Sequence, residues 1–371
     1  MSEALMVTSS FLPGRGGIES YLAELCSSLA PRVAVLAPPE RDGQMLPRDL
    51  AYPTHALPGL PVPGPRTLQK IADIAKRENT GQILFGTPWP LVLLGPALAR
   101  RNLRYAAIVH GAELLVPAAI PGLRTYLARS LAGADLLLPV SDFTAERLHG
   151  LIAKRNQVRI ERLRARVDLD RFTPETDASW VRRRLGIDPE AKMILCFGRL
   201  VPRKGVDRVI ESLPTIAERV PGATVVVAGT GPEEKQLRKL SERTLGKVIF
   251  AGRVPDDEAP AYYAAADVFA LPVEDRWFGL DVEGLGVVLL EAAACGTPCV
   301  TGRSGGTPEA VIHGVTGLVT DAGRRDDMAA ALIRILENDD LARAMGRAGR
   351  EHVARNFSAS IVPRPLIEWL A

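Results

Sequence analysis

The feature that most constrains this chain is an alternation of short apolar runs with amphipathic helical patterns that starts twice. The first series comprises "ALMVTSS", "RVAVLAP", "QILFG", "YAAIVHG" and "ADLLLPVS". Runs of this kind suit strands of a parallel sheet covered by helices on both faces. Between them, "IESYLAELCSSLA" and "LRTYLARSLAG" carry helical spacing. The second series is "KMILCFGRL", "ATVVVAGTG", "KVIFAGRV", "ADVFALP" and "TPCVTG". Two series in 371 residues exceed one ordinary core. The expected architecture is α/β with two doubly wound domains, and ligands belong at the carboxyl ends of their strands. The polar stretch "RARVDLDRFTPE" (164–175) is the expected crossover. The Pro-rich stretch 38–66 reads as an irregular surface loop of the first domain.

Composition removes several function classes. An apolar fraction of 47% and a charged fraction of 24% fit a soluble globular protein, and a net charge of +3 argues against a nucleic-acid partner. Residues 1–170 hold 20 Lys and Arg against 15 Asp and Glu, so the first half is mildly basic. That excess is either a solvated face or a surface for peripheral contact with an anionic membrane. Cys295 and Cys299 lack the His or Cys partners a zinc site needs. Buried thiols in a reducing cytoplasm are the better reading, and no metal is expected. "MSEALMVTSSF" lacks a signal-peptide pattern. Pro88, Pro90 and Pro96 interrupt the uncharged run 80–99, so no transmembrane helix is expected.

Four segments carry the candidate chemistry. In "PGRGGIES" (13–20), Gly14, Gly16 and Gly17 allow close backbone approach before a helix whose amides are free for a phosphate. An ordinary tight turn explains them equally well. Glu19 stands where a dinucleotide fingerprint needs its third glycine, which argues against a nicotinamide oxidoreductase. In "GRLVPRKG" (198–205), Arg199 and Lys204, with Arg203 between, follow a strand and are positioned to meet a diphosphate. Solvated surface cations are the plain alternative, and the strand end favours the ligand. His110 also ends a strand, and reads either as structural or as functional.

The fourth segment is "EGLGVVLLEAAACGTPCV" (283–300), with Glu283 before a helix start and Glu291 eight residues on. If every residue between were helical, the two would lie about 12 Å apart. That separation matches one carboxylate on a hexose and another on a ribose, with the amides of Leu285, Gly286 and Val287 at the phosphates between. The alternative is a capping Glu283 and a salt-bridged Glu291. "SGGTPEAVIHG" (304–314) reads mainly as architecture, with Thr307 as N-cap and Pro308 opening a helix.

Taken in order, "GGIESY", "GRLVPRKG", "VIFAGRV", "EGLGVVLLEAAACGTPCV" and "SGGTPEAV" resemble the motifs of retaining glycosyltransferases of family four. The resemblance covers nearly the whole chain. It implies a GT-B fold, two Rossmann-like domains facing a central cleft. An acceptor-side domain would span 1–169, a nucleotide-sugar domain 170–356, and a C-terminal helix over 357–371 would pack back on the first. Within the family, "RLVPRKG" and "GLDVEGLGVVLLEAAACGTPCV" look most like bacterial GDP-mannose-dependent mannosyltransferases that extend a phosphatidylinositol mannoside.

The resemblance also implies roles. Arg199 and Lys204 would hold the donor diphosphate, with Val287 and Val288 beside it. Glu283 and the amides of Leu285 and Gly286 would hold the sugar, and Glu291 the ribose. Gly252, Arg253 and Val254 would flank the base. Gly16 and Gly17 would approach the diphosphate from the first domain, and His110 would sit near the transferred sugar. The implied substrates are a nucleotide sugar and a glycolipid or saccharide acceptor, with no metal required. Two positions depart from the pattern: Ala112 replaces a second histidine after His110-Gly111, and Ala165-Arg166 replace an Asn-Gly or Ser-Gly pair before Val167-Asp168. A polysaccharide or glycolipid transferase using a UDP-sugar, a GT-B sugar-nucleotide epimerase and a non-catalytic sugar-nucleotide binder are the competing readings.

Overall fold

The computed structural model describes residues 2–14, 16–41, 43–57, 59, 61–152, 158–321 and 324–371. It divides into two compact units, residues 1–166 with 362–371, and residues 167–361.

The first unit is built on a seven-stranded parallel sheet. Its strands are β1 (Ala4–Val7), β2 (Val33–Ala37), β5 (Thr54–Ala56), β6 (Gln82–Phe85), β7 (Arg104–Val109), β8 (Leu136–Pro139) and β9 (Arg159–Ile160), in the order β5-β2-β1-β6-β7-β8-β9. A small antiparallel hairpin, β3 (Glu40–Arg41) and β4 (Gln44–Met45), stands outside it. Every residue of β1 and β2 is buried, because helices cover both faces. The core lies on both sides of the sheet. One side receives Leu366, Trp369 and Leu370 from the C-terminal helix Arg364–Leu370, which is shorter than the expected 357–371.

The stretch 38–66 is not simply irregular, contrary to its reading from sequence. It holds the hairpin, and its Thr54–Ala56 pairs in parallel with Val35–Ala37 as an edge strand. An edge strand bonds on one side only and so tolerates flanking prolines. Pro58 and Leu60 of this stretch, and Asp42, lie outside the described residues.

The second unit carries a six-stranded parallel sheet: β10 (Met193–Phe197), β11 (Thr224–Ala228), β12 (Lys247–Gly252), β13 (Val268–Leu271), β14 (Cys299–Gly302) and β15 (Gly317–Thr320). Its order is β12-β11-β10-β13-β14-β15. β15 was not legible as a strand because "GLVT" is short and lies among turn residues. All four cysteines are buried free thiols. Among the described residues no helix is long and apolar enough to cross a membrane.

Candidate functional site

The site in the second unit is assembled at the carboxyl ends of its strands. The chain leaves β10 through Gly198 and enters a short 3-10 turn, Pro202–Lys204, closed by Gly205 in a left-handed conformation. This turn delivers Lys204 to Glu283, with Nζ 2.8 Å from Oε2. Arg203 lies beside them, its Nε 3.4 Å from the same oxygen and its Nη1 3.5 Å from Asp281 Oδ1. Sequence reasoning ranked Arg199 above Arg203, yet Arg203 is the one that joins Glu283, while Arg199 is exposed. A turn fixes which side chains converge, and spacing alone does not reveal it.

Glu283 is 9% exposed. Burial pushes its carboxyl up, but Lys204 and then Arg203 outweigh that penalty and hold it below the ordinary range. Its backbone is fixed from the other side: the Glu283 amide donates to Ser304 Oγ at 3.1 Å, and Gly306 N–H donates to the Glu283 carbonyl. Gly305 lies in left-handed backbone at φ 51°, and a Cβ there would run into that carbonyl oxygen. The "SGG" turn is thus a mould for Glu283. The following helix begins at Thr307, one residue earlier than expected, with Gly306 as N-cap. The Thr307 hydroxyl accepts from Ser304 N–H and donates to the chain around it, so it ties the turn together without serving as N-cap.

The segment between the glutamates is not all helix. The helix runs Val287–Ala294, and Gly286 precedes it at φ 83°, a left-handed N-cap without a side-chain cap. Gly284 and Gly286 interrupt the helical spacing, so the expected 12 Å rise does not apply. Leu285 and Gly286 are buried, and Val287 and Val288 half-buried, at a helix start whose amides have no side-chain acceptor. Half-buried Glu291 sits one turn into the helix and accepts the Tyr263 hydroxyl at 2.7 Å, a partner not foreseen. Burial raises its carboxyl above the ordinary range, against the lowering effects of Tyr263 and then Arg171.

The neighbouring strand ends are glycine-lined. Gly229 N–H donates to the Gly252 carbonyl at 2.7 Å, and a Cβ on Gly229 would strike the Gly198 carbonyl. Three strand ends therefore approach closely, next to exposed Arg253 and buried Val254. The Gly229 contribution was written in "AGTG" and was read only as a strand end.

In the first unit, His110 follows β7 and is buried. Its Nε2 lies 2.9 Å from the Gly86 carbonyl, so that nitrogen carries the proton and donates. Its amide donates to Glu113 Oε1, and Tyr21 meets its ring edge-on, with centroids 5.9 Å apart. Gly111 precedes the helix Ala112–Ala119. Gly16 N-caps the helix Gly17–Leu29 in extended backbone that any residue adopts, but a Cβ there would press on Glu19, which Arg41 pairs at 3.3 Å. Arg166 is buried with its Nε 3.2 Å from Glu24 Oε2, and its backbone is outside the left-handed region. A bulky residue in place of glycine therefore imposes no backbone strain here.

Among the described residues no group of three or more His, Cys, Asp or Glu is arranged to hold a metal ion.

Comparison with known proteins defines the class. Over the whole chain the fold matches the Anabaena protein Alr3699/HepE, crystallised with UDP and glucose, at a TM-score of 0.81 and 20% identity, covering 100% of this chain and 99% of that one. It also matches a sucrose-phosphate synthase from Thermosynechococcus elongatus at a TM-score of 0.80 and 20% identity, covering 99% and 98%. The two parallel α/β units have the GT-B fold.

Residues 15–171 match "Glycosyltransferase Family 4", and residues 179–352 match "Glycosyl transferases group 1". The GDP-mannose-dependent alpha-(1-6)-phosphatidylinositol monomannoside mannosyltransferase of Mycobacterium tuberculosis H37Rv is 38% identical, covering 100% of this chain and 98% of that protein. The GDP-mannose-dependent monoacylated alpha-(1-6)-phosphatidylinositol monomannoside mannosyltransferase of Corynebacterium glutamicum is 35% identical, covering 99% and 97%. The chain belongs to glycosyltransferase family four and is a glycosyltransferase.

Proposed function

We propose that this enzyme moves mannose from GDP-mannose to a phosphatidylinositol mannoside, with retention at the anomeric carbon. The observation that carries the reading is the 38% identity to the mycobacterial mannosyltransferase across the full chain. The charge geometry of the second unit supports it. Rupture of the sugar–diphosphate bond leaves negative charge on the diphosphate and oxocarbenium character on the sugar. Lys204, Arg199 and the first amides of the helix Val287–Ala294 would stabilise the diphosphate, with Val287 and Val288 beside it. Those cations meet the charge that a metal would otherwise meet.

Without donor, Lys204 is neutralised by Glu283. With donor bound, the phosphates compete for Lys204, and Glu283 is released to accept sugar hydroxyl protons alongside the amides of Leu285 and Gly286. Glu291 takes the ribose hydroxyls, and Gly252, Arg253 and Val254 flank the base. Gly16, Gly17 and His110 are the first unit's share of the reaction. Retention follows if the acceptor hydroxyl attacks from the leaving-group face and gives its proton to the departing phosphate. Work at the cytoplasmic side of an anionic membrane would suit the lipid acceptor and the basic first half.

A thermal-shift panel tests the donor, because a ligand that binds only the folded state stabilises it. GDP-mannose should raise the melting temperature more than GDP-glucose, UDP-glucose or UDP-N-acetylglucosamine. A UDP-sugar that stabilises where GDP-mannose does not would favour the alternative, a polysaccharide or glycolipid transferase. Epimerised donor in the absence of acceptor would favour a sugar-nucleotide epimerase.

A further inference from the structure

The loop that leads into Glu283 ends in an aromatic turn that none of the roles above uses. Trp277, Phe278 and Gly279 lie consecutively in left-handed backbone, at φ 50°, 56° and 82°. Such a conformation is costly for bulky side chains and persists where the surroundings hold it, which is characteristic of functional sites. Here it sets two neighbouring rings into solvent: Trp277 is 67% exposed and Phe278 fully exposed.

The base of the turn is clasped. Arg276 and Asp281 exchange backbone hydrogen bonds at 2.9 and 3.2 Å. Ser304 Oγ donates to Asp275 Oδ1 at 2.6 Å while it accepts the Glu283 amide, so one hydroxyl joins the two ends of the loop. Arg203 spans Asp281 and Glu283, and the Arg203 carbonyl accepts from Glu274 N–H. The rings are therefore held on the same frame as the Glu283 carboxylate.

We infer that Trp277 and Phe278 form a stacking platform for the saccharide of the acceptor. The inference rests on the assignment of Glu283 to the donor hexose, since the sugar that receives this hexose must lie next to it. An aromatic face matches the C–H face of a pyranose or inositol ring, while the surrounding Asp, Glu and Arg groups offer hydrogen bonds to its hydroxyls. An anionic bilayer fits this loop poorly: its four carboxylates, Glu274, Asp275, Asp281 and Glu283, stand against Arg276, Arg203, Lys204 and Arg208, so no excess of cations faces a membrane here.

The test compares the native enzyme with Trp277→Asn and Phe278→Asn, since asparagine accepts left-handed backbone and removes the ring. Far-UV circular dichroism and melting temperature check the fold. With GDP-mannose as donor, KM is measured for phosphatidylinositol monomannoside and for its deacylated headgroup. Either variant should raise KM for both acceptors by about 10-fold, the scale of one aromatic contact, and leave the KM of GDP-mannose within about 2-fold. An effect on the lipid form alone would assign the rings to acyl chains and overturn the inference, as would unchanged acceptor KM or a raised donor KM.

Trp277 fluorescence separates this result from failure of the proposed function. Titration of the native enzyme with deacylated headgroup in the presence of GDP should shift the emission, and Trp277→Asn should abolish the shift. A shift without turnover of GDP-mannose would leave the platform and remove the donor assignment. Turnover without a shift would do the reverse.

Discussion

Lys204 Nζ stands 2.8 Å from Glu283 Oε2, and each side chain is only 12% exposed. A cation and a carboxylate from two separate motifs are thus joined before any donor arrives. In the proposed reaction the donor divides them, phosphate to one and sugar to the other.

Glu283→Gln keeps the shape of the side chain and removes the charge. Transfer should fall by about 100-fold, the scale of a misplaced reacting group. GDP affinity, measured calorimetrically, should not fall, because GDP carries no hexose and the lost carboxylate competes with the phosphates for Lys204. A parallel loss of GDP affinity would make Glu283 a structural counter-ion of Lys204 and nothing more.

The two glutamates should respond to pH with opposite signs. Glu283 has a folded pKa below its unfolded value, so its contribution to stability is present at neutral pH and is lost as pH falls through the folded value. Glu291 has a folded pKa above its unfolded value, so its ionisation costs stability once pH rises through the carboxylate range. Glu291→Gln should therefore raise the melting temperature of the donor-free enzyme at pH 7. The gain should vanish toward pH 4, and donor affinity should drop. Scanning calorimetry across that range checks both; a lowered melting temperature at pH 7 would contradict the assignment.

Gly305 and Gly314 form a matched pair. Both take left-handed backbone, at φ 51° and 78°, but a Cβ on Gly305 meets the Glu283 carbonyl while one on Gly314 meets open space. Gly314→Ala should cost about 1 kcal/mol from backbone conformation alone. Gly305→Ala should cost visibly more and abolish transfer, as read by urea titration and initial rates. Equal costs would show that the turn does not mould Glu283.

Buried Arg166 pairs with half-buried Glu24 in the first unit. Arg166→Met alone should destabilise by about 1 kcal/mol, the scale of an ion pair with one partner in contact with water. Adding Glu24→Leu should recover most of that loss. Chemical denaturation of the single and double variants decides it, and a neutral single variant would show the pair to be ornamental to stability.

Much of this was legible in the sequence because parallel strands covered on both faces announce themselves as unbroken apolar runs. "ALMV", "VAVLA" and "TVVVA" became β1, β2 and β11. The sheet strands that escaped, Thr54–Ala56, Arg159–Ile160 and Gly317–Thr320, are four residues long or shorter. Motif spacing foretold Lys204 after a strand and Glu283 before a helix start, but it did not foretell their ion pair. That contact depends on a 3-10 turn and on the Gly305 mould, both tertiary facts. The same holds for Arg203 and Tyr263, whose directions are set by packing. Trp277 and Phe278 stood in plain view, but their left-handed backbone has no signature at those residue types.

The most direct measurement is product analysis with purified enzyme, GDP-mannose and phosphatidylinositol monomannoside, with the new linkage read by mass spectrometry and anomeric NMR. The account predicts one added mannose in α configuration, with GDP released in equal amount and the yield collapsing in Glu283→Gln. No added hexose from GDP-mannose, with product formed from a UDP-sugar instead, would contradict it.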